Sequence, residues 1–362
     1  MKKFLTVGIL VISVFCCTSC SFTKNNKKTL NVINVGDYIN EDLIVSFEEK
    51  YDCNVIYTED PTNEMIYDNL LISSYDVCIV QDYMFDMLRQ ENKIQKLDFS
   101  KLTNFSYNDY FKDAVTLLDT QCKESKDYIV PYFWGTFGIM YRSDVAGLKE
   151  YIEENDINAV FKPSNYKKGM YDSARFALSI CNLASNPDVE NALNSFDKEL
   201  LERSKNTLIE ANYKVWGADT LKEFVANGTL DMALVFSGDY IDRTYTAIAS
   251  DEEINFSYYN PEITDIWIDS MCIPSNAENV ELAYEFINYF ASPEVSLQNA
   301  AYIGYAPLSE SVFNKLFTNY NFGEFITKEE FYPYSSKKQM LHYVSKEHNN
   351  YLRELLTEIK EK

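Results

Sequence analysis

Apolar residues recur along this chain with two different periods. Short runs rich in β-branched side chains at residues 30–33, 54–57 and 75–80 read as strands. Between the first two, Leu43, Phe47 and Tyr51 fall four residues apart and predict a helix over 41–51 with one apolar face. Further on, Leu282, Phe286, Ile287 and Phe290 repeat at helical spacing, and Pro293 is expected to stop that helix after Ser292. Strands alternating with helices predict an α/β fold with largely parallel sheets, whose ligand sits beyond the carboxyl ends of the strands.

The first apolar run has a different character. Lys2 and Lys3 precede an apolar stretch over 4–15 that is too short for a comfortable membrane span, and Thr18 and Ser19 lead into Cys20. This is the layout of a lipoprotein signal peptide, residues 1–19, cut before a cysteine that carries the lipid. Residues 20–28, polar and partly basic, then form a tether. Cys17 stands three before Cys20, where such signals usually have Leu. The mature chain is therefore expected on the outer face of a membrane, held by its lipid and not embedded.

Composition narrows the function. Loss of residues 1–19, with two lysines and no acid, takes the net charge from −22 to −24. Such a surface repels phosphate, so nucleic acid is excluded as a partner, and it favours cations. Five cysteines remain besides Cys20, namely Cys53, Cys78, Cys122, Cys181 and Cys272; their odd number and irregular spacing predict reduced thiols. The two histidines, His342 and His348, both fall near the carboxyl terminus. That leaves little for a metal site or a Ser-His-Asp triad, and no nucleophile elbow or phosphate loop is present, so neither catalysis nor a cofactor is expected. About 340 mature residues exceed the usual size of one core and predict two domains.

The positive chemical signal is acid beside aromatic. In Trp267-Ile268-Asp269, residues i and i+2 of a strand would present a π-face and a carboxylate to one site, which suits an organic cation. The same pairing recurs in Asn34-Val35-Gly36-Asp37-Tyr38, in Gln81-Asp82-Tyr83 and in Phe236-Ser237-Gly238-Asp239-Tyr240. Four such places on two halves of a chain point to one shared cleft.

These segments, together with 63–70, 129–135 and 303–307, occur in the order of the landmarks of the bacterial spermidine/putrescine-binding proteins of ABC transporters, which the chain resembles from about residue 29 to about 310. The resemblance implies a two-lobed periplasmic-binding-protein fold that closes on its ligand. It places 29–131 with 268–310 in one lobe and 132–267 with 311–362 in the other. Crossings are expected near 131–136 and 267–274, with a return near Tyr305. By matching position, Asp269 would accept an ammonium, Trp267 would lie along the methylene chain, and Tyr38, Tyr83 and Tyr305 would line the cleft. Phe236 takes a place usually held by Trp, and Asp37 and Asp239 match acids of the putrescine-preferring branch.

Two positions depart from the family. Val35 replaces a usual Trp, and Phe176 replaces an acid that serves the far end of a longer polyamine, so a short diamine is expected in preference to spermidine. Trp134 reads as hinge or core packing, and Trp216 has no assigned role. The implied partners are a membrane permease and its cytoplasmic ATPase, with the binding protein itself a monomer. A different small organic solute, and a secreted enzyme using the same cleft, are the competing readings.

Overall fold

A computed structural model describes residues 27–122, 124–187, 191–324 and 326–362. The expected signal peptide, the Cys20 anchor and most of the tether lie outside them. Ten strands follow in chain order: β1 (Lys28–Val35), β2 (Cys53–Asp60), β3 (Val77–Gln81), β4 (Val130–Arg142), β5 (Lys168–Tyr171), β6 (Val215–Gly217), β7 (Met232–Phe236), β8 (Phe256–Tyr259), β9 (Ile266–Cys272) and β10 (Ala306–Pro307).

The elements form where local chemistry favours them. The helix Glu41–Tyr51 is capped by Asn40, whose side chain accepts from the Asp42 N–H, and it has Glu41 and Asp42 in its first turn and Lys50 in its last. Its buried face carries Leu43, Ile44 and Phe47, with Tyr51 half-buried. Phe47 packs edge-on against Phe286 of the helix Val280–Phe290, ring centres 5.2 Å apart. That helix ends just before Ser292, and Pro293 then occupies the first turn of a second helix, Pro293–Ile303, where its missing N–H costs nothing.

The strands form two sheets sharing β4. The first runs β2-β1-β3-β9-β4, with β10 also on β4, and the second runs β4-β7-β5-β6, with β8 also on β4. Parallel pairing holds within each wound unit, β2-β1-β3 and β7-β5-β6. The expectation of largely parallel sheets fails at β4 and β9, both antiparallel to their neighbours. The reason is topological: a strand that enters a sheet from the opposite lobe arrives from the end at which the parallel strands finish.

The 13-residue β4 is the link between lobes. Residues through Thr136 pair with β9, and from Phe137 onward the partners are β7 and β8. The transfer is pinned by the returning chain, since the Phe137 N–H donates to Asp265 Oδ1 at 3.0 Å and the Thr264 hydroxyl donates to the Phe137 carbonyl at 3.0 Å. Trp134 lies on the face of β4 stacked on Phe111, 5.8 Å between ring centres, and edge-on to Tyr332. It is packing, buried in the core. Trp216 in β6 packs against Tyr213.

The chain after residue 310 contacts both lobes. The helix Glu310–Asn319 rests on β10 and on the helix Pro293–Ile303, while the helix Lys346–Lys360 packs on Ala174–Ser185 and Lys198–Ala211. Lys360 pairs there with Asp172 at 2.8 Å.

Candidate functional site

Every parallel strand of the two wound units ends toward the same cleft. Beyond β1 come Val35, Gly36, Asp37 and Tyr38; beyond β2 come Pro61, Thr62, Asn63 and Glu64; β3 ends with Gln81. From the second sheet, Tyr171, Ser173 and Phe176 follow β5, Asp219 and Lys222 follow β6, and Phe236, Asp239 and Asp242 close β7. Carboxyl ends of parallel strands therefore face one another from two lobes, the arrangement expected for ligand capture. Trp267 and Asp269 of β9 and Tyr305 before β10 complete the wall.

The aromatic side chains form a continuous surface. Trp267 meets Phe236 edge-on at 5.5 Å and Tyr305 at 5.6 Å, and Tyr305 stands perpendicular to Tyr38 at 5.0 Å. Phe236 continues to Phe137, Tyr171 and Phe176. Two glycines make this possible. A Cβ on Gly135 would fall 2.4 Å from the Trp267 ring, and one on Gly238 would fall 2.3 Å from the Tyr305 ring, so each ring packs directly against bare backbone.

The carboxylates are poised differently. Asp269 is buried, and its Oδ1 has no hydrogen-bond partner among the described residues; the Tyr38 hydroxyl lies beside it, outside bonding geometry. Burial pushes its pKa up to about 7, with Tyr38 opposing the rise only in part. Asp239 accepts from the Phe236 N–H and from the Tyr305 hydroxyl, both at 3.1 Å. Burial also raises Asp239 and Asp219, and Lys222 counteracts this in both; Asp219 and Asp242 raise Asp239 further, while Asp37 and Asp242 raise Asp219. Asp37 sits exposed at the rim in the left-handed region, φ 53°, which a short polar side chain tolerates. A buried carboxylate with one orphaned oxygen, further acids from both lobes and a surface of aromatic rings make a site that can take an organic cation. No nucleophile-base pair lies among these residues.

A model of the bacterial extracellular solute-binding protein family matches residues 42–321. The chain belongs to this family. Among its relatives, the spermidine/putrescine-binding periplasmic protein of Escherichia coli (strain K12) is 28% identical over 318 residues, 84% of each chain. The putrescine-binding periplasmic protein SpuD of Pseudomonas aeruginosa is 28% identical over 284 residues, 75% of each. The structure of the spermidine/putrescine ABC transporter substrate-binding protein PotD from Streptococcus pneumoniae matches with a TM-score of 0.68 at 25% identity, over 92% of this chain and 99% of that one. The two-lobed α/β fold of this solute-binding protein thus follows from the comparisons as well as from its own sheets.

Of the residues singled out in the sequence of this solute-binding protein, Asp37, Tyr38, Phe236, Asp239, Trp267, Asp269 and Tyr305 meet at the cleft, as do the departures Val35 and Phe176. Tyr83 stands one layer behind: its hydroxyl donates to Glu64 Oε1 at 3.1 Å, its ring meets Phe176 at 6.0 Å and the Arg175 guanidinium covers it at 5.7 Å. Asp82 turns away, accepting from the Tyr83 and Ile268 N–H groups, and so clamps β9 rather than facing ligand. Sequence reading missed Glu64, Asp219, Lys222 and Asp242. Glu64 was legible in principle, since Thr62 caps the helix Asn63–Ile72 at the end of a strand and places an acid in its first turn. The other three carried no local sign. His348 is structural: its Nδ1 meets Arg175 Nη1 at 3.1 Å, and burial together with Arg175 pushes its pKa down to about 3.

Proposed function

We propose that the protein is the receptor subunit of a polyamine importer, and that it captures a short diamine of putrescine's length between its lobes and hands it to a membrane permease driven by a cytoplasmic ATPase. The observation that carries this reading is Asp269, a buried carboxylate beside Trp267 and Tyr38 whose Oδ1 has no hydrogen-bond partner among the described residues. Leaving a charge buried and unpaired costs several kcal/mol, and an arriving ammonium removes that cost. Asp239 and Asp37 serve the second ammonium, and the Trp267, Tyr305 and Phe236 rings sheathe the carbons between, each cation-ring contact adding roughly 0.5–2 kcal/mol. Phe176 puts a ring where a longer polyamine would need an acid. The names of the relatives in E. coli and P. aeruginosa agree with this ligand class.

The ligand is released unchanged. Residues 29–131 with 268–310 act as one lobe and 132–267 with 311–362 as the other, moving about the crossings near 131–136 and 267–274 and the return near Tyr305. The protein works as a monomer and is held at the outer face of the membrane by a lipid on Cys20. Competition titration calorimetry with putrescine and spermidine tests the ligand: putrescine is expected to bind more tightly, and either a tighter spermidine or no binding of both at micromolar concentration overturns the assignment.

A further inference from the structure

The cleft already holds one ammonium of its own. Lys222, from the helix Thr220–Ala226, lines it with a side chain only 8% exposed. Its Nζ lies 2.7 Å from Asp242 Oδ2 within the second lobe and 3.7 Å from Asp37 Oδ2 in the loop after β1 of the first. Asp219 and Asp239 contribute further negative potential at the same end. Four carboxylates thus surround one lysine. The Asp37 pair joins groups on opposite lobes, which is the task a ligand ammonium performs when lobes close. Lys222 holds the two carboxylates nearest to it, Asp242 and Asp37, so a ligand ammonium reaching for that pair would have to displace the lysine head group or share them.

We infer that Lys222 is a specificity-determining residue, a tethered ammonium that fills the place of a third amine and restricts the site to ligands with two. The inference rests on the polyamine reading above. The lysine also explains how so acidic a pocket persists without ligand: burial works to lower the Lys222 pKa, but Asp239 and Asp242 more than offset it, so the side chain stays charged. A shorter neutral side chain at this position would open both room and charge for a triamine. Arginine would keep the charge and block the same place.

The test measures putrescine and spermidine affinities for the wild type and for Lys222→Met, with Lys222→Gln as a second variant should the first fold poorly and Lys222→Arg as the charge-retaining control. Melting curves of the unliganded proteins establish folding. The Met or Gln variant is expected to shift the ratio of the two affinities at least tenfold toward spermidine, with Lys222→Arg keeping the wild-type ratio. An unchanged ratio in a folded neutral variant that binds putrescine overturns the role of Lys222 while leaving the diamine reading intact. A ratio that shifts equally in the Arg variant also overturns it, because side-chain shape and not the tethered charge would then be responsible. Wild-type protein that binds neither amine overturns both.

Discussion

Lowering the pH should weaken diamine binding through Asp269 in a way that can be worked out in advance. The ordinary carboxylate value is 3.8 and burial raises this group to about 7. At about 1.36 kcal/mol per pH unit, that difference is ~4 kcal/mol held in an ionised but unpaired group. Aliphatic amines titrate near 10 and stay charged throughout, so only the receptor changes between pH 8 and pH 5. At pH 8 Asp269 is mostly ionised; at pH 5 roughly one molecule in a hundred is. A ligand that requires the carboxylate should then bind about 100-fold more weakly at pH 5, with Asp239 adding to the loss. The sign for stability is the reverse. A carboxyl whose folded pKa lies above its unfolded value keeps its proton longer in the native state, so the unliganded protein loses stability as pH rises from about 4 through 7. The ligand-induced rise in melting temperature should accordingly be largest near pH 8 and shrink toward pH 5. Calorimetry across this range provides the measurement, with Asp269→Asn as the control. That variant is expected to lose about 2 to 5 kcal/mol of binding at pH 8, as for one partner of a buried charge pair, and to show a flatter pH profile. Affinity that varies less than about threefold between pH 8 and pH 5, or an Asn variant with full affinity, would refute this account of the site.

Other measurements bear on the same structure. Gly238→Ala should weaken amine binding at least tenfold and lower the melting temperature, because the new Cβ would push Tyr305 off its bond to Asp239, whereas helix propensity alone would make the change stabilising by roughly 0.5–1 kcal/mol. A variant as tight and as stable as the wild type would show that Tyr305 moves without consequence. Expressed with its full leader, Cys20→Ala should pass from the membrane to the soluble fraction on cell fractionation; retention at the membrane would remove the lipid anchor. The five described cysteines are buried and free of disulfides, with the Cys78 and Cys272 sulfurs in contact at 3.2 Å, and burial is the first cause raising Cys53, Cys122 and Cys181. Iodoacetamide at pH 8 should leave all five unmodified in native protein and modify all five after denaturation, which mass spectrometry reads directly.

Local pattern in the sequence was enough for the parts of this protein that depend on neighbours along the chain. Short β-branched runs located β1, β2 and β3, and helical spacing located the helices Glu41–Tyr51 and Val280–Phe290, because both preferences are properties of the local backbone. Trp267 and Asp269 were legible as partners for the same reason, two residues apart on one face of β9. The same local logic failed for Asp82 and Tyr83, which have the acid-aromatic signature yet serve the backbone of β9 and the side chain of Glu64. Nothing along the chain distinguishes an aspartate that meets a ligand from one that meets an amide. Asp219 and Lys222 at the start of one helix and Asp242 within another were invisible in sequence, being ordinary polar helix residues until β5, β6 and β7 bring their carboxyl ends opposite β1. Their charge acquires meaning only from a cleft that brings residues far apart in sequence, such as Asp37 and Lys222, within reach of one another. The direction of β4 and β9 was likewise a tertiary outcome, since alternation specifies which face a side chain takes but not the lobe from which the strand arrives.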